Sequence, residues 1–179
     1  SERSRGLGDV YKRQELRQIN PEYKFFMPLS DQAHLNLLQE DLEGLINISF
    51  SNSQEVLKKS ELAIITSGTA TLESILAFTP CLTLYKTNWR TYLIIKPLLS
   101  IDFFALPNLI SGNKILPELL QKDVTIKNII YSIDSIKEKG SEFYNQKFNQ
   151  IKEDLKAGGA NKASVAVSYT HLTLPTNVA

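Results

Sequence analysis

The feature that most constrains the fold is a short apolar run that passes through a hydroxyl-rich turn directly into a helix, at residues 62–74. The apolar residues predict a buried strand, and Ser67-Gly-Thr-Ala-Thr predicts the turn and the first helical residues. The N–H groups of the first helical turn point out of the helix N-terminus, together with the positive end of its dipole. Residues 62–74 therefore predict a strand–turn–helix unit, the repeating element of a parallel α/β sheet.

Other short apolar runs alternate with helical patterns around this unit. The runs are nearly all apolar and β-branched, as expected for parallel strands that are covered on both faces. The alternation predicts an α/β fold with a doubly wound parallel sheet and right-handed crossovers. The spacing of Ser51 and Gln54 predicts a capping box at one helix start. The predicted strands are 23–28, 45–50, 62–66 and 80–85, and the predicted helices are 31–41, 53–60 and 69–78.

After residue 86 the pattern becomes helical. We expect an irregular segment at 106–112 because it contains proline, asparagine, serine and glycine together. Two glycines at 158–159 predict a break before a final helix that begins at Asn161. The sheet is therefore expected to be followed by C-terminal helices. The helices predicted in this half are 89–100 with an interruption at Pro97, 117–122, 125–136 and 137–155.

Both ends of the chain read as translated DNA adapters. Residues 9–14 back-translate to the mosaic end of transposon-based sequencing libraries, and residues 167–176 back-translate to its reverse complement followed by the opposite adapter. We therefore expect residues 1–14 and 167–179 to be non-native and exclude them from the fold prediction. The remaining residues, 15–166, are expected to form part of one domain.

Composition argues against several functional classes. Residues 1–14 hold four basic and two acidic residues, so without them the net charge changes from +1 to −1. A chain without basic excess is not expected to bind nucleic acid. The single cysteine, Cys81, excludes a disulfide framework, indicates a reducing compartment and is expected to be a buried side chain rather than a nucleophile. The surroundings of His34 predict no metal site, and no apolar run has the length of a transmembrane helix.

The turn that begins at Ser67 has two interpretations. A helix N-terminus of this kind is a suitable anion site, usually for phosphate. Glu73 follows one helical turn later, where its carboxylate can accept hydrogen bonds from the hydroxyl groups of a ribose. Alternatively, the turn is an ordinary capped helix start and Glu73 complements the helix dipole. Phosphate and sugar recognition on one element would indicate a nucleotide.

Two downstream segments also have two interpretations. Trp89 and Tyr92 lie beside basic residues and an apolar face, which fits either a membrane-interface helix or a helix packed in the core. Asn108 follows a proline and is either a turn residue or a functional polar group in an ordered loop.

Five blocks of the chain, taken in order and spacing, closely resemble the lipid-A-disaccharide synthase family. The resemblance extends from about residue 20 to residue 166. It implies a Rossmann-like C-terminal, UDP-sugar-binding half of a GT-B glycosyltransferase. The blocks are 67–74, Thr79-Pro80, Tyr85-Lys86, 106–112 and 117–121.

This resemblance implies an inverting enzyme of lipid A biosynthesis in a Gram-negative bacterium. Such an enzyme transfers 2,3-diacylglucosamine from UDP-2,3-diacylglucosamine to 2,3-diacylglucosamine 1-phosphate. It releases UDP and lipid A disaccharide 1-phosphate. The family implies no metal and no cofactor. It also implies a cytoplasmic protein that is peripheral on the inner membrane, with a homodimer as the expected assembly.

The resemblance also implies roles for individual residues. The uracil is expected near 50–52, and Asn108 is expected to reach the phosphate or sugar of the donor. Replacement of Asn108 by alanine should then reduce turnover far more than folding stability. The general base is expected in an N-terminal domain outside these residues, so the fragment alone should be inactive. The diphosphate and ribose are assigned to Ser67, Gly68, Thr69, Ala70, Thr71 and Glu73.

The chain departs from the family pattern at two places. Asn113-Lys114 stands where an arginine followed by an acidic residue is common, so a charge contact is expected to be lost. Phe78 replaces a glycine that is frequent before Thr-Pro, at a position that we expect to be permissive. Two alternatives stay open: another UDP-sugar glycosyltransferase or epimerase of the same fold, or a non-catalytic nucleotide-binding module. The related transferases and epimerases more often carry a Gly-Gly turn with paired acidic residues.

Overall fold

The computed structural model of the 179-residue chain describes residues 22–28, 46–49, 52–66, 68–86 and 103–156. Within them, short strands alternate with helices along most of the chain. The strands are β1 Phe25–Pro28, β2 Ile46–Ser49, β3 Ala63–Ile65, β4 Cys81–Tyr85 and β5 Glu118–Leu120, and the helices are α1 Ser53–Lys59, α2 Gly68–Leu76, α3 Leu106–Ser111 and α4 Ile126–Asp154. A 3₁₀ turn, Gln121–Asp123, follows β5.

Every strand pairing among the described residues is parallel. Strand β1 pairs with β2, with Phe25 opposite Ile46. Strand β4 lies between β3 and β5, with Ala63 opposite Cys81 and Thr83 opposite Glu118. Parallel neighbours require crossover connections, and helices α2 and α3 lie within two of these connections. The predicted α/β class with parallel strands is confirmed.

The core lies against the middle strand. Cys81, Leu82 and Thr83 of β4 are fully buried, as expected for a parallel strand that is covered on both faces. Helix α4 contributes an apolar stripe to the same core. The core residues are Ile65, Ile75, Cys81, Leu82, Ile115, Leu116, Ile129, Ile133, Ile136, Tyr144, Phe148 and Ile151.

Helix α4 contains a sharp break at Gly140, whose φ of 75° and ψ of 164° are not helical. A backbone with positive φ is accessible to glycine at little cost. The predicted pair of helices is therefore present, but the boundary lies at Gly140 rather than between residues 136 and 137. The Thr125 side chain caps the start of α4 by accepting a hydrogen bond from the N–H of Asn128 at 3.3 Å.

Two predictions for the second half of the chain are wrong. The segment predicted as irregular contains α3, which has Pro107 in its first turn and the left-handed Gly112 as its C-cap. These residues therefore delimit a short helix instead of preventing one. The segment predicted as a helix at 117–122 is instead β5 and the start of the 3₁₀ turn. A short apolar run fits either structure, and pairing with the edge of β4 decides in favour of the strand.

A smaller correction concerns α1, whose N-cap is Asn52 rather than Ser51. The Asn52 side chain accepts a hydrogen bond from the N–H of Gln54 at 3.1 Å. Several predicted segments lie outside the described residues and therefore stay predictions. They are the helices at 31–41, at 89–100 and after Asn161, together with both adapter-like ends.

Candidate functional site

Helix α2 starts at the carboxyl end of β3. The strand ends at Ile65, and the helix begins at Gly68. Ligands of parallel α/β sheets commonly bind at this edge. The first turn of α2 contains no acidic residue, so the positive end of the helix dipole is not opposed by a carboxylate of its own turn. Of the residues predicted for the anion site, Gly68, Thr69, Ala70 and Thr71 form this first turn, whereas Ser67 lies outside the described residues.

The underside of α2 is anchored by buried hydroxyl groups. The side chains of Thr71 and Ser74 are fully buried. Ser74 Oγ donates to the carbonyl oxygen of Thr71 at 2.7 Å and lies 3.3 Å from Cys81 Sγ on β4. Thr71 therefore faces the interior, and any contact that it makes with a ligand is expected to come from its backbone. Thr69, by contrast, is exposed.

The carboxylate of Glu73 lies close to the start of α1. Ser53 Oγ, on the first residue of α1, donates to Glu73 Oε2 at 3.0 Å. Both side chains are partly buried. The hydrogen bond connects Glu73, which is predicted to bind the ribose, with the segment where the uracil is predicted. Of that segment, Asn52 is described and residues 50–51 are not.

Asn108 is located inside the protein and not in a loop. Its side chain is fully buried on α3. Asn108 Nδ2 donates to the carbonyl oxygen of Leu116 at 2.8 Å and to Glu118 Oε1 at 2.6 Å. Asn108 Oδ1 accepts from the N–H groups of Ile115 at 2.8 Å and Leu116 at 2.9 Å. These contacts use both amide hydrogens and both oxygen lone pairs, which leaves the side chain without capacity for a further ligand.

Glu118 completes this cluster, and its role was not foreseen from the sequence. Besides the Asn108 amide, its carboxylate accepts hydrogen bonds from the N–H groups of Phe104 at 2.7 Å and Ala105 at 3.0 Å. These groups lie at the start of α3, so Glu118 occupies its N-terminus as a fixed anion. The available signal was an acidic residue directly after Pro117 inside an apolar run.

The hydroxyl and thiol groups of β4 are protonated at neutral pH. Tyr85 donates to the carbonyl oxygen of Phe104 at 3.2 Å, and burial followed by the nearby Glu118 charge raises the pKa of Tyr85. Burial raises the pKa of the Cys81 thiol to about 11. The expectation that Cys81 is a buried side chain is confirmed. Such a thiol carries little of the thiolate form that nucleophilic chemistry requires.

Phe78 occupies a strained backbone position after α2. Its φ of 59° lies in the left-handed region, where glycine is favoured and a bulky side chain is disfavoured. The expectation that position 78 is permissive is therefore wrong. Phe78 is 37% exposed, and Lys152 Nζ lies 4.1 Å from the centroid of its ring. Lys152 belongs to α4, so the Phe78 side chain contacts the C-terminal helix. The left-handed backbone at position 78, by contrast, disfavours a residue with a bulky side chain.

The remaining predictions concern the lipid contacts, membrane-spanning helices and metal sites. Trp89 and Tyr92 are not among the described residues. Within the described ranges, no helix combines the length and apolar character needed to cross a bilayer. In the same ranges, no three His, Cys, Asp or Glu side chains are arranged to hold a metal ion.

Comparison with known proteins identifies the relatives of this chain. The sequence model of the lipid-A-disaccharide synthetase family matches residues 10–169. The chain belongs to this family. The matched range includes the turn at Ser67, helices α1 to α4 and the Asn108–Glu118 cluster. The resemblance drawn from the sequence blocks is thereby confirmed.

Individual members of the lipid-A-disaccharide synthetase family show the same relation. A lipid-A-disaccharide synthase of Idiomarina loihiensis is 30% identical over 158 residues, which cover 86% of this chain and 42% of the relative. That of Acinetobacter baylyi is 33% identical over 133 residues, or 73% of this chain and 30% of the relative. The chain thus spans less than half the length of these relatives.

Proposed function

We propose that this chain is the UDP-sugar-binding part of a lipid-A-disaccharide synthase. The enzyme would transfer 2,3-diacylglucosamine from UDP-2,3-diacylglucosamine to 2,3-diacylglucosamine 1-phosphate. The observation that carries this proposal is the family match across 10–169, with α2 starting at the carboxyl end of a parallel strand. The proposed products are lipid A disaccharide 1-phosphate and UDP.

The proposed donor site has two parts. Backbone N–H groups of Ser67, Gly68, Thr69, Ala70 and Thr71 would hold the diphosphate at the positive end of the α2 dipole. The carboxylate of Glu73 would accept hydrogen bonds from the hydroxyl groups of the ribose. When the bond to the sugar breaks, negative charge would develop on UDP, and the N-terminus of α2 would stabilise that charge without reorganisation.

Asn108 would contribute to this site in a different way from the one expected. Its four hydrogen bonds join α3 to residues 115–118, and α3 packs against α2. We therefore propose that Asn108 keeps the neighbouring helix in place and does not itself contact the donor. The general base would belong to a part of the enzyme outside this chain.

The proposed location is the cytoplasmic face of the inner membrane, because both substrates would carry acyl chains. Trp89 and Tyr92 are the proposed contacts with lipid, and a homodimer is the proposed assembly. Replacing Trp89 and Tyr92 by serine in the complete gene product should lower its recovery with membranes. Unchanged recovery would exclude the lipid contact.

The direct test is an assay of the complete gene product. It would be incubated with UDP-2,3-diacylglucosamine and radiolabelled 2,3-diacylglucosamine 1-phosphate. The expected product is a labelled disaccharide 1-phosphate, with UDP released in equal amount. Absence of that product from a folded protein would overturn the proposed activity.

A further inference from the structure

We infer that Ser53 is a positioning residue for the ribose of the donor, because it holds the carboxylate of Glu73 in one orientation. The inference rests on the proposed function, in which Glu73 binds the ribose. Its physical basis is the hydrogen bond of 3.0 Å from Ser53 Oγ to Glu73 Oε2, which joins the first residue of α1 to α2.

The capacity of the carboxylate allows both contacts at once. An ionised carboxylate has about four lone-pair sites on its two oxygens. Among the described residues, Ser53 is the donor to Glu73, and its hydroxyl uses one of these sites on Oε2. The remaining sites suffice for a pair of neighbouring hydroxyl groups, such as the 2′ and 3′ hydroxyls of a ribose. The serine thus orients the ligand-binding group without competing for all of it.

Ser53 is itself held on a helix that is capped at its start and attached near its end to the α2 unit. At the start of α1, the Asn52 side chain accepts from the N–H of Gln54. Near its end, Thr79 Oγ1 donates to the carbonyl oxygen of Leu57 at 2.6 Å. Thr79 lies in the segment between α2 and β4, so α1 is attached to the α2 unit independently of Ser53. A donor on such a support can fix the torsions of a long glutamate side chain.

Loss of the Ser53 hydroxyl should therefore lower the affinity for a ligand that carries ribose hydroxyls. Glu73 would regain several rotamers, and the ligand would have to order them on binding. Ordering one flexible side chain corresponds to a loss of roughly twofold to tenfold in affinity. A ligand without ribose hydroxyls does not use the carboxylate, so its affinity should change little.

The test measures the affinity of the complete gene product for UDP and for 2′,3′-dideoxy-UDP by calorimetry. Ser53→Ala should weaken UDP binding by roughly twofold to tenfold and leave dideoxy-UDP binding unchanged. Ser53→Thr retains a hydroxyl and should restore most of the UDP affinity. In a Glu73→Gln background, Ser53→Ala should have no further effect, because the two residues act as a unit.

Ser60→Ala is the matched control. It removes a serine hydroxyl at the end of α1 that donates to the carbonyl oxygen of Val56 at 2.7 Å, and it leaves both attachments of α1 intact, so the ratio of the two affinities should stay at the wild-type value. If the wild-type protein prefers UDP and Ser53→Ala retains that full preference, the inference is wrong while the donor site stands. If the wild-type protein binds UDP no better than dideoxy-UDP, the ribose role of Glu73 fails, and the inference fails with it.

Discussion

Helices α2 and α3 both begin near the carboxyl edge of the sheet, but their N-termini differ in charge. At α3, the N–H groups of Phe104 and Ala105 donate to the carboxylate of Glu118. Neither first turn contains an acidic residue of its own, and at α3 the carboxylate comes from β5. The protein therefore supplies its own anion to the start of α3, whereas the start of α2 is the proposed site for the diphosphate of UDP.

The largest effect is expected at α3. Asn108→Ala would leave the N–H and the carbonyl oxygen of Leu116 buried without these partners, whereas the N–H of Ile115 keeps its hydrogen bond to the carbonyl oxygen of Asn113 at 2.9 Å. Unsatisfied buried groups cost roughly 1–3 kcal/mol each, so urea unfolding should show a loss of about 3 kcal/mol or more. This outcome reverses the expectation from the sequence that turnover suffers far more than stability.

Asn113→Ala is the control for that experiment. Asn113 is exposed, and its Nδ2 donates to the carbonyl oxygen of Ser111 at 2.9 Å. Its removal should change stability by less than about 0.5 kcal/mol, as for most surface substitutions. An Asn108→Ala protein of wild-type stability that had lost turnover would instead place the Asn108 amide on the substrate.

The second prediction concerns the strand beneath α2. The pKa of Cys81 is raised by burial from 9.0 to about 11 in the folded protein. Its protonated thiol thus contributes stability that is fully present below pH 9 and is lost as the pH rises through 11. The contribution of this group should be about 3 kcal/mol, because one pKa unit corresponds to about 1.4 kcal/mol.

The measurement is urea unfolding of the wild-type protein and Cys81→Ala between pH 8 and pH 11. Burial is the main cause of the raised pKa values of Tyr144 and Tyr85, so these groups add a similar slope to both proteins, and the difference reports mainly the thiol. The difference should shrink as the pH rises. Parallel curves for the two proteins would show that Cys81 does not remain neutral on folding.

The third prediction compares the replacement by glutamine of Glu73 on α2 with that of Glu118, whose carboxylate contacts the start of α3. Glu73→Gln should weaken UDP binding by roughly tenfold, because it replaces a charged acceptor, while folding stability changes by less than about 0.5 kcal/mol. Glu118→Gln should do the opposite. It weakens the contacts to Phe104 and Ala105 and should reduce stability by about 2 kcal/mol. Calorimetric titration and urea unfolding of both variants give the two quantities. Equal effects on binding would remove the distinction between the helices.

The smallest effect is expected after α2, at Phe78. A left-handed backbone costs a residue with a side chain about 1 kcal/mol relative to glycine. Phe78→Gly and Phe78→Ala both remove the ring from Lys152, so they differ mainly in backbone strain. Phe78→Gly should be the more stable of the two by about 1 kcal/mol in urea unfolding. An equally stable or more stable Phe78→Ala would contradict the left-handed geometry.

The first half of the fold could be predicted because its signals are local. The apolar run 62–66 and the turn at Ser67 mark a strand and a helix start within a few residues of β3 and α2. The second half depends on contacts between distant residues. Strand β5 exists because β4 offers it an edge, and the burial of Asn108 depends on the backbone of 115–116 and on Glu118. No periodicity in the sequence encodes those partners.

The Glu73 site illustrates the same division. Glu73 could be selected because it follows the turn on its own helix. Its partner Ser53 lies 20 residues earlier on α1, and the pairing depends on how α1 packs against α2. At Phe78, likewise, the amino acid alone gave no sign of a positive φ.

The central claim is that α2, and not α3, receives the diphosphate of UDP. It is tested most directly by titrating the isotopically labelled complete gene product with UDP and following the backbone amide resonances by NMR. The account predicts that the amides of Gly68, Thr69 and Ala70 shift with the titration and that those of Phe104 and Ala105 stay in place. Shifts at Phe104 and Ala105 with none at the start of α2 would contradict it.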